Sequence, residues 1–414
     1  MSHKDSMTET ESRAAKVMQR ADRMASFSET PEHLTRAYLT PEHKLAHAQL
    51  ASWMLEAGLE TWQDSVGNQW GRKVSANPTM PTLILGSHSD TVANAGRYDG
   101  NLGVLLALEA LEALGDVELP YHVDVVAFAD EEGTRFNTTL IGSSGVAGCF
   151  QPSWLEVEDA NGVSMASAMD SFGLEPQVAG SDSRVDEEIL AYLEVHIEQG
   201  PVLEAQNLPV GVVTGIAGAK RYEMTVKGMA GHAGTVPIGL RQDAFCGVAQ
   251  MVTEIENYAL EHDIVATVGK CEVLPGAVNV IPGEVRFTLD IRSLSQHQLE
   301  TCCETLLEKL AAIAKLRSLS FESRNIYQAQ AVLCDEVLQH KWANVVEKHT
   351  QQTACFLPSG AGHDAMVMAQ VANIGMLFVR CDKGISHHPA ESVTTEDVSV
   401  ALDCFIDMVQ SFAP

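Results

Sequence analysis

Two short apolar runs constrain this chain more than anything else in it. Residues 82–86 (TLILG) and 122–128 (HVDVVAF) each lead straight into a cluster of histidine or carboxylate side chains. Both runs are almost unbroken by polar residues, which predicts strands buried on both faces. Between them, residues 102–114 repeat their apolar positions with helical spacing. Buried strands alternating with helices predict an α/β sheet with parallel strands, whose functional groups gather at the strands' carboxyl ends.

Further helical patterns cover about residues 11–23 and 41–57, so the first 70 or so residues read as helical. The style changes near Gly211. Residues 222–227 alternate like a half-buried strand, a helix follows over 243–260, then strands over 264–273 and 284–291, a helix over 295–314 and a strand over 318–323. That β-α-β-β-α-β order suits an antiparallel sheet with helices on one face. After Ala329 the first style resumes, with strands near 355–357 and 374–379. The expected fold class is therefore α/β: a mixed, largely parallel sheet flanked by helices, made by residues 1–212 and 329–414, with an α+β domain inserted at 213–328.

The 414 residues exceed what one core usually supports. A formal net charge of −28, from 55 acidic and 27 basic residues, argues against nucleic acid and anionic membranes as partners, because phosphate recognition needs clustered Lys and Arg. The opening string MSHKDSMTETESRAAK lacks the apolar segment of a secretory leader, and no run reaches the length of a membrane span. Nine cysteines without a C-x-x-C pair fit reduced thiols and a cytoplasmic location. Any metal must then be held by histidine and carboxylate.

Several clusters offer such groups. In GSHSDT, His88 and Asp90 are two apart on extended chain and share a face. A carboxylate beside an imidazole fixes its tautomer, as in metal sites, although a structural pair reads the same way. Asp99, eleven residues after His88, precedes a helix and could bridge metals or simply cap that helix. Asp130, Glu131 and Glu132 follow the second buried run; their mutual repulsion is relieved by a cation, or by solvent in an acidic turn. Adjacent carboxylates also allow one to bind metal while the other moves a proton. His196 and Glu198 share a face at another strand end, and His387 and His388 lie in a short loop after a strand. His232 sits in a glycine-rich turn of the inserted domain, where an ordinary turn histidine is the simpler reading.

Taken together, GSHSDTVANAGRYDG, ADEEGTRF, HIEQGPVLE, GMAGHAGTVP, SGAGHDAM and GISHHPAE resemble the aminoacylase/carboxypeptidase superfamily of two-metal hydrolases. More closely they resemble its carbamoylase branch, which includes allantoate amidohydrolase, N-carbamoyl-L-amino-acid hydrolase and β-ureidopropionase. The resemblance implies that His88 and His196 bind one divalent ion, Glu132 and His387 the other, and that Asp99 bridges them. It chooses His387 over His388 because the loop reads His-x-Pro-x-Glu, with the histidine four before Glu391. It implies Glu131 as general base and Asp90 as the partner of His88. Gln199, Asn279, Arg292 and Gly360 would bind a small ureido acid, and His232 would stabilise the oxyanion from the partner subunit of a homodimer, with Asn279 and Arg292 also completing the partner's site. The insert would be a lid and dimerisation domain, and the ions zinc or manganese, with cobalt or nickel also suited.

Two departures stand out: Ser89 between His88 and Asp90, where relatives carry Leu or Ile, and Val236 where Thr is frequent. The string FSETPEHLTRAYLTPEH resembles the allantoate amidohydrolase subgroup. N-carbamoyl-L-amino-acid hydrolase or β-ureidopropionase is the second reading and a metallopeptidase the third. An inactive scaffold is disfavoured because Glu131 and all five implied ligands are present.

Overall fold

The computed structural model describes residues 3–412, so the opening string read for a leader begins outside that range. The chain divides into two units: residues up to Thr214 together with those from Cys334 onward, and Gly215–Leu333 between them. The first unit starts with α1 (His3–Ala25), α2 (Pro41–Glu56), β1 (Glu60–Gln63), β2 (Gln69–Lys73), β3 (Thr82–His88), α3 (Asn101–Leu114), β4 (His122–Phe128), β5 (Ile189–Ile197) and β6 (Val210–Ile216). The insert holds β7 (Gly218–Lys227), α4 (Ala244–His262), β8 (Val265–Thr267), β9 (Cys271–Leu274), β10 (Glu284–Ser293), α5 (Gln296–Leu316) and β11 (Ser320–Ala329). The first unit then resumes with α6 (Glu336–Thr350), β12 (Phe356–Ser359), β13 (Ile374–Val379) and α7 (Thr395–Gln410).

In the first unit β4, β3, β5 and β13 lie side by side and run parallel. Antiparallel strands flank them, β2 and β1 beyond β4 and β6 beyond β13. Every residue of β3, β4 and β13 is buried, as strands covered on both faces require. Much of that cover is α3, whose Leu102, Leu105, Leu106 and Leu108 have no exposure; each contributes about 1.5–3 kcal/mol by burial. Gly103 lets the helix close on the sheet, since a Cβ there would lie 2.1 Å from the Val195 carbonyl oxygen. Glu109, also fully buried in α3, meets Arg13, Lys16 and Arg20 of α1 at 2.9, 3.2 and 3.2 Å. That ion cluster fastens α1 to the core.

The hairpin of β1 and β2 stands where the sequence predicts only helix. Its strands are short and polar and carry no periodic signal. Trp62 stacked on its cross-strand partner Trp70 holds them, and the Asp64 carboxylate accepts the Val66 and Asn68 N–H groups in the turn.

The insert forms an antiparallel sheet in the order β9-β10-β7-β11, with β8 also paired to β10. Its core joins alternate residues of β7 and β10, such as Met224, Val226, Phe287 and Leu289, to Val248 and Met251 of α4 and Leu306 and Leu310 of α5. The single strand expected over 264–273 is two, β8 and β9. Among the described residues no helix is long and apolar enough to cross a membrane. All nine cysteines are free thiols.

Candidate metal centre

Because β3, β4 and β5 run parallel, their carboxyl ends open on one side. His88 ends β3, Asp130, Glu131 and Glu132 follow β4, and His196 is the last but one residue of β5. The loop before α3 adds Asp99, and the loop after β13 adds His387. Among the described residues, His88, Asp99 and His196 form one group of ligand atoms, Asp99, Glu132 and His387 a second, and His88, Glu131 and Glu132 a third, each within 4.8 Å.

The distances fit cations. Donor atoms about 2.1 Å from a tetrahedral ion are about 3.4 Å from one another. Nε2 of His88 lies 3.5 Å from Nε2 of His196 and 3.6 Å from Asp99 Oδ1, and the His196 nitrogen is 3.2 Å from that oxygen. In the second group, His387 Nε2 is 3.2 Å from Asp99 Oδ2 and 3.5 Å from Glu132 Oε1. Asp99 therefore turns one oxygen to each group. The ring nitrogens present lone pairs: Nδ1 of His88 faces the Asp90 carbonyl at 3.1 Å and Nδ1 of His196 faces the Ile197 carbonyl at 2.9 Å, so the Nδ1 protons are taken. Gly100 N–H donates to His196 Nε2 at 3.2 Å, which marks that atom as an acceptor. Converging lone pairs of nitrogen and oxygen suit a divalent ion.

The electrostatics agree. Burial pushes the Asp99 carboxyl up, yet its bonds to His196, His387 and His88 overcome this and hold it well below the usual carboxylate range. Burial alone would lower His88 and His196, but Asp99, with Asp90 for His88, raises both; the bond to Asp99 raises His387. Burial pushes Glu132 up to about 7 and Glu131 well above the usual range. The cluster thus draws positive charge to itself.

Asp99 is not the helix cap; the N-cap of α3 is Gly100, at φ +65, where a Cβ would lie 2.4 Å from the His88 ring. The Asp90 carboxylate, 3.4 Å from His88 Nδ1, accepts the backbone N–H groups of Glu131 and Glu132 at 2.9 and 3.2 Å, so it orients the acidic turn as well as the ring. Asp130 joins none of the donor groups. Glu198 leaves its expected place beside His196 and caps the short helix Val202–Gln206, accepting Val202 and Leu203 N–H. His388 binds Ala390 N–H of its own loop. Gln199 reaches the centre, its amide donating to Asp99 Oδ2 and Ser386 Oγ, each at 3.0 Å. Gly360 lies just after β12; two residues on, a Cβ on Gly362 would lie 3.4 Å from Glu131 Oε1.

In the insert, His232 pairs with Val280, and Asn279 accepts Ala233 N–H, so these two segments are neighbours. Arg292, on β10, donates to Asp290 Oδ1 at 2.8 Å. Sequence reasoning missed Ser386, Glu391 and His363 as participants. His363 is buried, with its ring 4.5 Å from that of His196, and burial holds it well below the ordinary histidine value. All three stand inside the quoted strings, but only the fold shows what they touch.

A parallel-centred sheet with a histidine and carboxylate cation centre at its strand ends, interrupted by an α+β insert, defines a metallohydrolase of the two-unit kind. The chain belongs to the peptidase family M20/M25/M40, whose model matches residues 84–411. It is 38% identical over 427 residues to an allantoate deiminase of Arabidopsis thaliana, covering 95% of this chain and 81% of the relative. It is 40% identical over 383 residues to an N-carbamoyl-L-amino acid amidohydrolase of Geobacillus stearothermophilus, covering 92% and 93%. The solved amidase of the hydantoinase/carbamoylase family from Burkholderia multivorans is 32% identical, with a TM-score of 0.91 over 97% of this chain and 98% of that one.

Proposed function

We propose that this chain is a two-cation amidohydrolase that cleaves the carbamoyl C–N bond of a small ureido acid, with allantoate as substrate. The observation that carries this is Asp99, whose two oxygens face two donor groups with the spacing of bound ions. His88 and His196 would hold one ion, Glu132 and His387 the other, and Asp99 both. Zinc and manganese are the ions proposed; cobalt and nickel suit the same donors. Bound divalent cations supply an acidified water and polarise the carbonyl.

The chain's own groups do the rest. Glu131 takes the water's proton and passes it to the leaving nitrogen; burial pushes its carboxyl up, the direction that makes it a stronger base. Asp90 holds the Glu131 and Glu132 backbone in place. Water adds to the ureido carbon, the C–N bond breaks, ammonia leaves, and the remaining carbamate loses carbon dioxide to give ureidoglycine. Gln199 would bind the amide end of the substrate, and Gly360 would also contact the substrate. Asn279 and the planar fork of Arg292 would bind its carboxylate. His232 would steady the oxyanion from the partner subunit of a homodimer, with the insert serving as lid and dimerisation domain. Free thiols throughout support a cytoplasmic setting.

The relative from Geobacillus stearothermophilus favours a second reading, hydrolysis of N-carbamoyl-L-amino acids. Chelated protein reloaded with manganese or zinc separates the two by ammonia release. Allantoate is expected to give a kcat/KM about tenfold or more above N-carbamoyl amino acids, a gap of about 1.4 kcal/mol in transition-state binding. The reverse order selects the second reading, and no release from either sinks both.

A further inference from the structure

The Ser386 hydroxyl carries one proton and faces two carboxylates. Its Oγ is 3.0 Å from Asp99 Oδ2 and 3.1 Å from Glu391 Oε2, and it accepts an N–H from Gln199 Nε2 at 3.0 Å. A hydroxyl donates once, so only one carboxylate receives the proton at a time. The two are not equivalent. Asp99 Oδ2 is the oxygen turned towards His387, in the second donor group. Glu391 grips the backbone that carries Asp99: its Oε1 accepts the N–H groups of Tyr98 at 2.8 Å and Asp99 at 3.1 Å. Glu391 is only 5% exposed, and Gly96 makes room for it, since a Cβ there would lie 2.2 Å from its carboxylate.

We propose that Glu391 is a positioning residue for Asp99 and that Ser386 is a hydrogen-bond switch, turning its proton from Asp99 Oδ2 to Glu391 Oε2 when Asp99 gives that oxygen to a cation. The proposal rests on the two-cation reading and adds to it a device that withdraws one of the two donors on that oxygen, the Gln199 amide at 3.0 Å being the other. A proton held on Asp99 Oδ2 competes with an ion for the same lone pairs. A hydroxyl turned away with no second acceptor would lose its bond, and a group left so in a buried place is costly. Glu391 Oε2 supplies that acceptor. The device is one-sided: Ser386 does not touch Asp99 Oδ1, which faces His88 and His196.

The variants separate switching from simple support. Glu391→Gln keeps an oxygen for the two backbone N–H groups but can set an NH₂ donor against Ser386, which then must donate to Asp99. Adding Ser386→Ala removes the competing proton. Chelated protein titrated with Zn²⁺ or Mn²⁺ by calorimetry is the measurement. Expected are two equivalents in the wild type, a second equivalent weakened about 10–100-fold in Glu391→Gln with the first unchanged, and recovery of most of that loss in the double variant. A second equivalent of wild-type affinity in Glu391→Gln overturns the proposal, as does a double variant no tighter than the single one. A wild type that takes up two equivalents while the variants fail these tests sinks the switch alone; one that takes up fewer sinks the two-cation reading and the switch with it.

Discussion

Glu131 and Glu132 are adjacent in sequence and differ in what they face. Glu132 Oε1 lies 3.5 Å from His387 Nε2, in the donor group shared with Asp99, whereas Glu131 lies beside Gly362 and groups only with His88 and Glu132. Replacing Glu131, the proposed base, by Gln leaves the donor group of Asp99, Glu132 and His387 intact. The expected result is a loss of kcat of about 10²–10⁴ with two equivalents of cation still bound. A kcat near wild type would end the assignment; lost cation would make Glu131 a ligand. At this scale much of the centre was legible. His88 and His196 stand at the ends of apolar runs whose side chains alternate, and the acids at 130–132 follow another. Asp99 was ambiguous, because a capping and a bridging aspartate occupy similar sites in sequence. Ser386 and Glu391 were illegible as actors, since their partners Tyr98 and Asp99 are almost 300 residues away, joined only by the fold.

Among the elements, α2 shows how the strand end is braced from behind. His43 and His47 point Nε2 at Ser89 Oγ, at 3.2 and 2.7 Å, and Ser89 donates to the Phe128 carbonyl at 2.9 Å. Leu39 N–H and the Gln63 amide meet the two Nδ1 atoms, so both rings are neutral Nε2–H tautomers. Burial lowers His47 to about 3 and His43 well below its ordinary value. The unfolded chain, with histidines near 6.5, therefore binds more protons below that pH. The stability from the neutral rings is fully present above about pH 6.5 and is lost as pH falls towards 3, by up to about 1.4 kcal/mol per pH unit for each ring. Urea midpoints of chelated protein between pH 6.5 and 4.5 should fall less steeply in His47→Gln than in wild type; parallel slopes would refute the assignment. This network also accounts for Ser89, the polar residue where the resemblance expected an aliphatic one. The β1–β2 hairpin escaped prediction for the opposite reason: its order comes from one tryptophan pair, and strands of four and five residues show no period.

At the scale of the whole molecule, the proposed homodimer places His232 of one subunit at the other's centre. Two inactive variants, Glu131→Gln and His232→Ala, should then restore activity when refolded together. Random pairing gives half mixed dimers, each with one complete site, or roughly a quarter of wild-type activity. No recovery on mixing would mean that each chain supplies its own histidine.

The position of β13 sets the order in which these parts are completed during synthesis. It lies between β5 and β6, both of which leave the ribosome before the strands of the insert, while β13 and His387 leave after them. The insert is one unbroken stretch and has all its strands to hand once residue 333 has emerged. The outer sheet must wait with two unjoined edges for a late strand, a long-range closure that is slow to form and exposed to mispairing. A ribosome stalled before residue 374 therefore holds an insert complete in sequence beside a centre that cannot yet gather its donors.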